Sequence, residues 1–532
     1  MNVTTALQLV LLPAGAVAIA AIARWRGWST PLLLVLAGLI VGMIAAPIQG
    51  VPSYRLDPEI VLLIFLPPLL YSAALDSSYL RLRDVRRPVG LLSVGLVLFS
   101  TAVVGLLTHA MIPSLPLAAA FALGAIVAPP DAVAAVAVAR RLGLPRKVIT
   151  ILVGESLFND ATALTAYRVA VAAAVGQGVS MLDAFWHFAY AAGGGLVIGL
   201  ALAYVIGRLF ERLEDPLITN AISLLIPFVA YLTAEAVEVS GVLSVVVVGV
   251  FLGHRAYRTS YGARLVSYSM WKVIDFFLEI VVFLLIGLQL PLILQGLRGQ
   301  NPWHVAGYSV AVFAAVVVAR VVWVIPGVYL PRLLFRRIRE REPKPTRAHT
   351  AVIGWAGMRG VVSLAAAFAL PPDFPARDLL LFLTFVVVTG TLLVQGLSFP
   401  LLIRRLGVSS DQEVYKDNLS EAAAQQAAAG AALARLEELT GDGVIETHAE
   451  VVDGLRVQAE RRAMGAWERL GGGVGPEGEE TPSALYRRLR RAMLEAERSV
   501  LVRMRDERRI DDEVLRRVTR ELDYEEATLA RE

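Results

Sequence analysis

Thirteen long apolar stretches separated by short polar connections constrain this chain more than any other feature of it. They lie at about 5–23, 31–48, 58–75, 89–111, 115–138, 148–174, 181–207, 217–237, 239–253, 273–295, 303–331, 348–370 and 379–403. Most approach the ~20 residues that a helix needs to cross ~30 Å of hydrocarbon. Alternating ten-residue strands, the mark of a β-barrel, are absent from the sequence. With 56% hydrophobic and 18% charged residues and a mean hydropathy of +0.62, the chain is too apolar for a soluble multidomain protein of 532 residues. The expectation is an all-α polytopic membrane protein with about 13 transmembrane helices.

The basic residues give that expectation a direction. Twenty-three Lys and Arg fall in the odd-numbered connections, seven of them between Arg332 and Arg347, against three (Arg55, Arg298, Arg377) in the even-numbered ones. By the positive-inside rule the odd connections and the C-terminus are cytoplasmic and the N-terminus is outside, in a cell (inner or plasma) membrane. The flank "MNVTTALQ" has no basic residue, so the first segment reads as a span and not as a signal peptide. The absence of cysteine excludes disulfides, thiolate metal sites and cysteine nucleophiles, and the six histidines form no HExxH motif.

After Arg405 the composition turns polar. Residues 411–440, about 445–470 and 482–530 read as amphipathic helices rich in Ala, Glu, Arg and Leu, with breaks at "TGDG" (440–443) and "GGGVGPEG" (471–478). The division expected is a membrane domain at 1–405 and a helical cytoplasmic tail at 406–532. The tail carries no nucleotide-binding motif and serves either dimerisation and stability or the sensing of a regulatory ligand.

Charges inside apolar segments are costly and mark function unless they lie near an end. Glu235, Glu238 and Asp275 stand near segment ends and read as interfacial, and Arg168 as snorkelling toward the outer face. Central positions remain for Asp131, Glu155, Asp160, Arg320 and Arg359, with Glu279 less clearly so. Three acids against two arginines read as a paired network with one or two carboxylates left free. Pro129 and Pro130 precede Asp131 directly, so a regular helix cannot pass there, and "FLPPLLYSAAL" (65–75) is a second candidate break. Backbone groups freed at mid-membrane are tolerated where they line a polar site. On the sixth segment Glu155 and Asn159 share a face, while Asp160 points about 100° away. Glu155 can therefore be held by a distant arginine while Asp160, facing Asp131, exchanges a proton for a cation. Such oxygens suit a small hard cation.

In this order, "FLPPLLYSAALD" (65–76), "APPDAVAA" (128–135), "GESLFNDATAL" (154–164), Arg320 in "VVVARVVWVIP" and "GWAGMRGVVSLAAAFALP" (354–371) resemble the sodium/proton exchangers of the cation/proton antiporter-1 family, over about residues 5–405. The resemblance implies inverted repeats with two crossed broken helices, and a core domain that moves against a dimerisation domain to give alternating access. It implies a homodimer whose substrates are protons and monovalent cations, with no resident cofactor and no nucleic-acid partner. Carried over by position, Asp160 and Asp131 bind the transported Na+, and Asn159 stands where electrogenic relatives have a second acid. Glu155 pairs with Arg320, and Pro129, Pro130, Ser156, Arg359 and Gly360 support the broken-helix core, Arg359 in the second break near Gly357.

This chain departs from the family pattern in two places. Pro130-Asp131-Ala132 replaces a Thr-Asp-Pro at the crossing, and Ser72 stands where many members have an acid, with Asp76 one turn on. Both changes leave Na+ against K+ or Li+ open. The expected function is electroneutral cation/proton exchange and not enzymatic. The alternatives are a cation channel, a proton-coupled solute symporter and an intramembrane aspartyl protease, whose Gly-x-Gly-Asp pattern is absent around the second acid.

Overall fold

In the computed structural model the chain forms two compact units, Met1–Ser409 and Ser410–Glu532. The structure describes residues 3–45, 61–176, 181–297, 299–341, 346–408, 411–441, 449–470 and 479–531. Arg55, Arg298 and the breaks expected at 440–443 and 471–478 fall wholly or mostly outside them.

The first unit is built of helices, with no strand among its described residues. Its elements are α1 (Val3–Arg26), α2 (Thr30–Ala45), α3 (Leu66–Leu75), α4 (Tyr79–Asp84), α5 (Arg86–Met111), α6 (Leu117–Val127), α7 (Ala132–Arg141), α8 (Arg146–Ala174) and α9 (Met181–Phe210). They continue with α10 (Pro216–Glu235), α11 (Gly241–His254), α12 (Tyr261–Leu288), α13 (Leu290–Gly296) and α14 (Pro302–Leu334). The last four are α15 (Arg336–Arg341), α16 (Arg347–Trp355), α17 (Val361–Phe368) and α18 (Arg377–Leu406). Polar residues set the starts. Asp215 accepts from Leu217 N at 2.7 Å, Asn301 from Trp303 N at 3.0 Å and Thr346 from His349 N at 3.2 Å. Each satisfies an amide that the first turn cannot pair internally. Pro216 and Pro302 occupy first helical positions, where the missing amide is harmless.

Six helices among the described residues are long and apolar enough to cross a membrane: Arg86–Met111, Phe185–Phe210, Pro216–Glu235, Tyr261–Gly296, Pro302–Leu334 and Arg377–Leu406. The other apolar segments are also helical but shorter, interrupted, or charged at mid-length like α8. Burial grades the unit from inside to outside. In its most apolar window α18 is 72% buried, whereas the Phe185–Phe210 part of α9 is 22% buried. Helix α18 is thus central and α9 peripheral. Helices α2 and α12 meet at Gly38 and Gly287, where a Cβ on Gly38 would lie 2.9 Å from the Gly287 Cα. Only small residues let two backbones approach so closely.

Three boundaries differ from the sequence expectation. The chain does not stop at Pro67–Pro68: a π-type turn at Val61–Phe65 runs directly into α3, and the wider turn carries the helical path past the two residues that lack amides. Helix α12 starts at Tyr261, not near 273, so Lys272 and Asp275 lie mid-helix instead of opening it. In the second unit, α19 (Asp411–Gly441) packs against α20 (Ala449–Leu470), with Trp467 Nε1 donating to Gln426 Oε1 at 3.0 Å. The helix expected over 482–530 is instead two, α21 (Pro482–Asp506) and α22 (Asp512–Arg531), turned by Arg508 in the left-handed region at φ 59°. The turn lets Leu494, Leu522 and Leu529 bury one another and Arg490 bind Glu525 at 2.6 and 2.7 Å. One continuous helix would leave that apolar stripe in water.

Candidate functional site

Two interrupted helices meet at the centre of the first unit. The first stops at Val127 because Pro129 and Pro130 offer no amides, and α7 restarts at Asp131. Asp131 caps α7 by accepting from Val133 N at 2.8 Å, a carboxylate at the positive end of a helix. The second interruption, residues 356–360, separates α16 from α17. Asp131 N donates to Met358 O at 2.7 Å, which locks one break onto the other.

Arg359, fully buried, completes the lock. Its Nε donates to Val127 O at 3.0 Å and its Nη2 to Ala128 O at 3.3 Å, while Nη1 turns back to Gly357 O. A guanidinium thereby pairs carbonyls that the interrupted α6 leaves open, at the negative end of that half-helix. Thr391 Oγ1 of α18 accepts from Arg359 N at 3.0 Å and holds the second break from behind. Gly360 is required here, because a Cβ at that position would run into the Asp131 carboxylate.

Helix α8 closes the site. Asn159 Nδ2 donates to Pro130 O at 2.7 Å, tying α8 to the first break, and Asn159 Oδ1 is buried without a hydrogen-bond partner. Asp160, 7% exposed, makes no hydrogen bond or ion pair among the described residues. Asp131 lies within electrostatic reach of it. Ser156 is half-buried one turn before Asp160. On the neighbouring face Glu155 meets Arg320 of α14 through two bonds, at 2.5 and 2.8 Å, both side chains essentially inaccessible at 1% and 0%. Arg320 Nε also donates to Ile353 O at 3.1 Å, at the end of α16. The pair therefore joins α8 and α14 to the helix that leads into the second break.

Glu155 is matched by Arg320, whereas the guanidinium of Arg359 is spent on backbone carbonyls and the Asp131 carboxylate on the amide of Val133. Asp160 is left buried with no hydrogen bond or ion pair among the described residues, a charge that a proton or a monovalent cation neutralises equally well.

Several polar partners were not legible in the sequence. Ser72 donates a short hydrogen bond to Asp275 of α12, so a carboxylate from another helix stands beside the position where Ser72 replaces an acid. Glu279, one turn after Asp275, is half-buried and within electrostatic reach of Asp131. Arg168 does not simply reach the outer surface; its Nη2 pairs with Glu235 Oε2 at 2.8 Å. Thr391 and the carbonyls of Val127 and Ala128 carried no sequence signal, since an isolated threonine and a backbone oxygen look alike everywhere.

A helical membrane fold with a buried, unpaired carboxylate beside two interlocked helix breaks is the arrangement of an ion carrier. The chain matches the family described as sodium/hydrogen exchanger, transmembrane, over residues 13–405, and it belongs to that family. It is 32% identical over 520 residues to an uncharacterised Na+/H+ exchanger of Mycobacterium tuberculosis strain H37Rv, covering 94% of this chain and 91% of the relative. It is 31% identical over 467 residues to the sodium, potassium, lithium and rubidium/H+ antiporter of Bacillus subtilis, covering 80% and 69%. The solved structure of the sodium proton antiporter MjNhaP1 from Methanocaldococcus jannaschii shares the fold, with a TM-score of 0.59 at 21% identity over 76% of this chain and 98% of that one.

Proposed function

We propose that this protein exchanges Na+, with K+ or Li+ as alternatives, for protons one for one by alternating access, and that Asp160 carries each substrate in turn. The observation that carries the reading is the state of Asp160: it is buried, makes no hydrogen bond or ion pair among the described residues, and has Asp131 within electrostatic reach. Asp131 and the free Oδ1 of Asn159 are the oxygens at hand to share the cation. Asn159 cannot ionise, and both oxygens of Glu155 are taken up by Arg320, so the reading gives neither a part in the exchange. A cycle in which a proton and a monovalent cation alternate on one carboxylate moves no net charge. Asp275, bonded to Ser72, supplies on the approach to the site the acid that the third segment lacks.

The wider architecture belongs to the same reading. Residues 1–405 cross a cell membrane thirteen times as inverted repeats, N-terminus outside, with a core that moves against a dimerisation domain in a homodimer, and the helical tail 406–532 is cytoplasmic. The asymmetry of 23 against 3 basic residues supports the orientation.

The test is addition of Na+, Li+ or K+ to sealed vesicles holding a preformed pH gradient, with the membrane potential clamped by potassium and valinomycin for the Na+ and Li+ arms. The proposal expects the gradient to collapse at a rate independent of the clamped voltage. No response to any cation between about pH 6 and 9 removes the transport assignment. A voltage-dependent rate leaves exchange standing and removes the one-for-one stoichiometry.

A further inference from the structure

A half-open cavity of about 1100 Å³ lies between α14 and α16, closed at one side by Leu402 of α18. Its walls are apolar, with Val321, Val324, Ile325 and Leu333 on α14 and Ala351 and Trp355 on α16. Ile325 is 50% and Leu333 76% exposed, so the cavity opens sideways, toward what would be lipid. Its mouth is different in kind. Arg332, Arg339 and Arg347 line it, and Arg339 and Arg347 are exposed and make no ion pair among the described residues. These arginines belong to the most basic connection in the chain, the one that the orientation proposed above makes cytoplasmic.

An apolar slot capped by clustered guanidinium groups matches one ligand chemistry, a diacyl chain ending in an anionic headgroup. Guanidinium binds phosphate oxygens in a forked geometry, and basic pockets between membrane helices on the cytoplasmic side suit anionic lipids. We infer that this cavity is a binding site for an anionic phospholipid of the cytoplasmic leaflet, acyl chains between α14 and α16 and phosphate on Arg339 and Arg347. The site is separate from the exchange centre but mechanically joined to it. Val321 follows Arg320, which holds Glu155, and Gly354 and Trp355 end the half-helix that leads into the break bearing Arg359. Trp355 is anchored to α18 through its Nε1, which donates to Ser398 Oγ at 2.9 Å. A lipid seated there braces the two helices that support the centre and steadies the second break.

The inference rests on the proposed orientation only for the choice of leaflet, and its readout needs no transport. Full-length protein stripped of lipid in detergent is titrated with dioleoylphosphatidylglycerol or dioleoylphosphatidylcholine, following bound lipid by native mass spectrometry and stability by thermal denaturation. The expectation is at least tenfold tighter retention of the anionic lipid, with a raised melting temperature. In Arg339→Gln/Arg347→Gln the preference falls to about twofold or less, while Na+-driven exchange in phosphatidylcholine vesicles is unchanged. Ala351→Trp, which fills the slot with the arginines intact, loses the anionic lipid as well. The inference is overturned by equal retention of both lipids, by a preference that survives the double arginine variant, or by full retention in Ala351→Trp, which would mean surface charge alone. Stabilisation by glycerol 3-phosphate equal to that by the lipid would overturn it too, as the site would then take a soluble anion.

Discussion

Replacing Arg320 by alanine tests whether the buried pair is scaffold. In the wild type the Glu155 carboxylate receives two guanidinium bonds, at 2.5 and 2.8 Å, with 1% and 0% of the two side chains exposed. Truncation leaves Glu155 charged, dehydrated and without a counter-ion, a change of about 3–5 kcal/mol in other buried pairs. The lost bond to Ile353 O adds about 0.5–1.5 kcal/mol. Together these predict destabilisation by about 3.5–6.5 kcal/mol, a factor of at least a hundred in the folded-to-unfolded ratio. Glu155→Gln should fall at the lower end, because Arg320 keeps the Ile353 carbonyl. The double variant Glu155→Leu/Arg320→Met removes both charges and should recover to within about 2 kcal/mol of the wild type, since well-packed apolar pairs replace buried ion pairs at little loss. Equilibrium unfolding in mixed micelles, read by tryptophan fluorescence, compares these variants, with Glu155→Leu and Arg320→Met alone completing the cycle for the double variant. The reasoning is refuted if Arg320→Ala lies within about 1 kcal/mol of the wild type, or if the double variant is as unstable as the sum of the single ones.

Asp160→Asn keeps shape and removes the exchangeable charge, so it should melt within a few degrees of the wild type and show no cation-driven proton flux in vesicles. Gly360→Ala should lose most exchange and about 1–3 kcal/mol of stability through the clash with Asp131, whereas Gly354→Ala, four residues before the second break's Met358, meets nothing within 4 Å and should be neutral or stabilise α16 by up to about 1 kcal/mol; similar melting of the two variants would count against the close crossing. Arg168→Ala should change stability by less than about 1 kcal/mol, because its pair with Glu235 is 52% and 28% exposed. In the tail, the Arg490 guanidinium holds Glu525 below the usual carboxylate range. A depressed folded value means that this support is present at neutral pH and is lost as the pH falls through the ordinary carboxylate range, about 4.3 and below. Amide protection of α21 and α22, measured by hydrogen exchange on the whole protein, should drop over that interval, and Arg490→Gln should abolish that dependence.

The helical membrane fold was readable because hydrocarbon permits few solutions: a run of about twenty apolar residues has little alternative to a helix. The break at Asp131 was readable for the same reason, since two prolines leave no backbone donors. Pro67–Pro68 carried the same pattern with another outcome, because the π-type turn before them keeps the helical path continuous. Position in the helix, which sequence alone does not fix, separates the two cases. Asp275 was misplaced because α12 begins with a polar turn, "YGARLVSYSMWK", that apolar periodicity passes over. Its bond to Ser72 joins residues 203 positions apart, a contact with no local trace in the chain. The fold-back of α21 on α22 was missed because charged, helix-favouring residues run straight through the turn at Arg508.

The central claim is that a single carboxylate, Asp160, serves proton and cation in turn. The most direct measurement is the apparent Na+ affinity of purified protein in vesicles as a function of pH, from initial rates of exchange. One shared site predicts simple competition: on the acid side the apparent Km rises tenfold per pH unit, the maximal rate is restored by saturating Na+, and Asp160→Asn shows no saturable component. A hundredfold rise per unit would mean that a second carboxylate, with Asp131 the first candidate, releases its proton together with Asp160. An apparent affinity that ignores pH would mean that proton and cation bind at different places, and the account would fail.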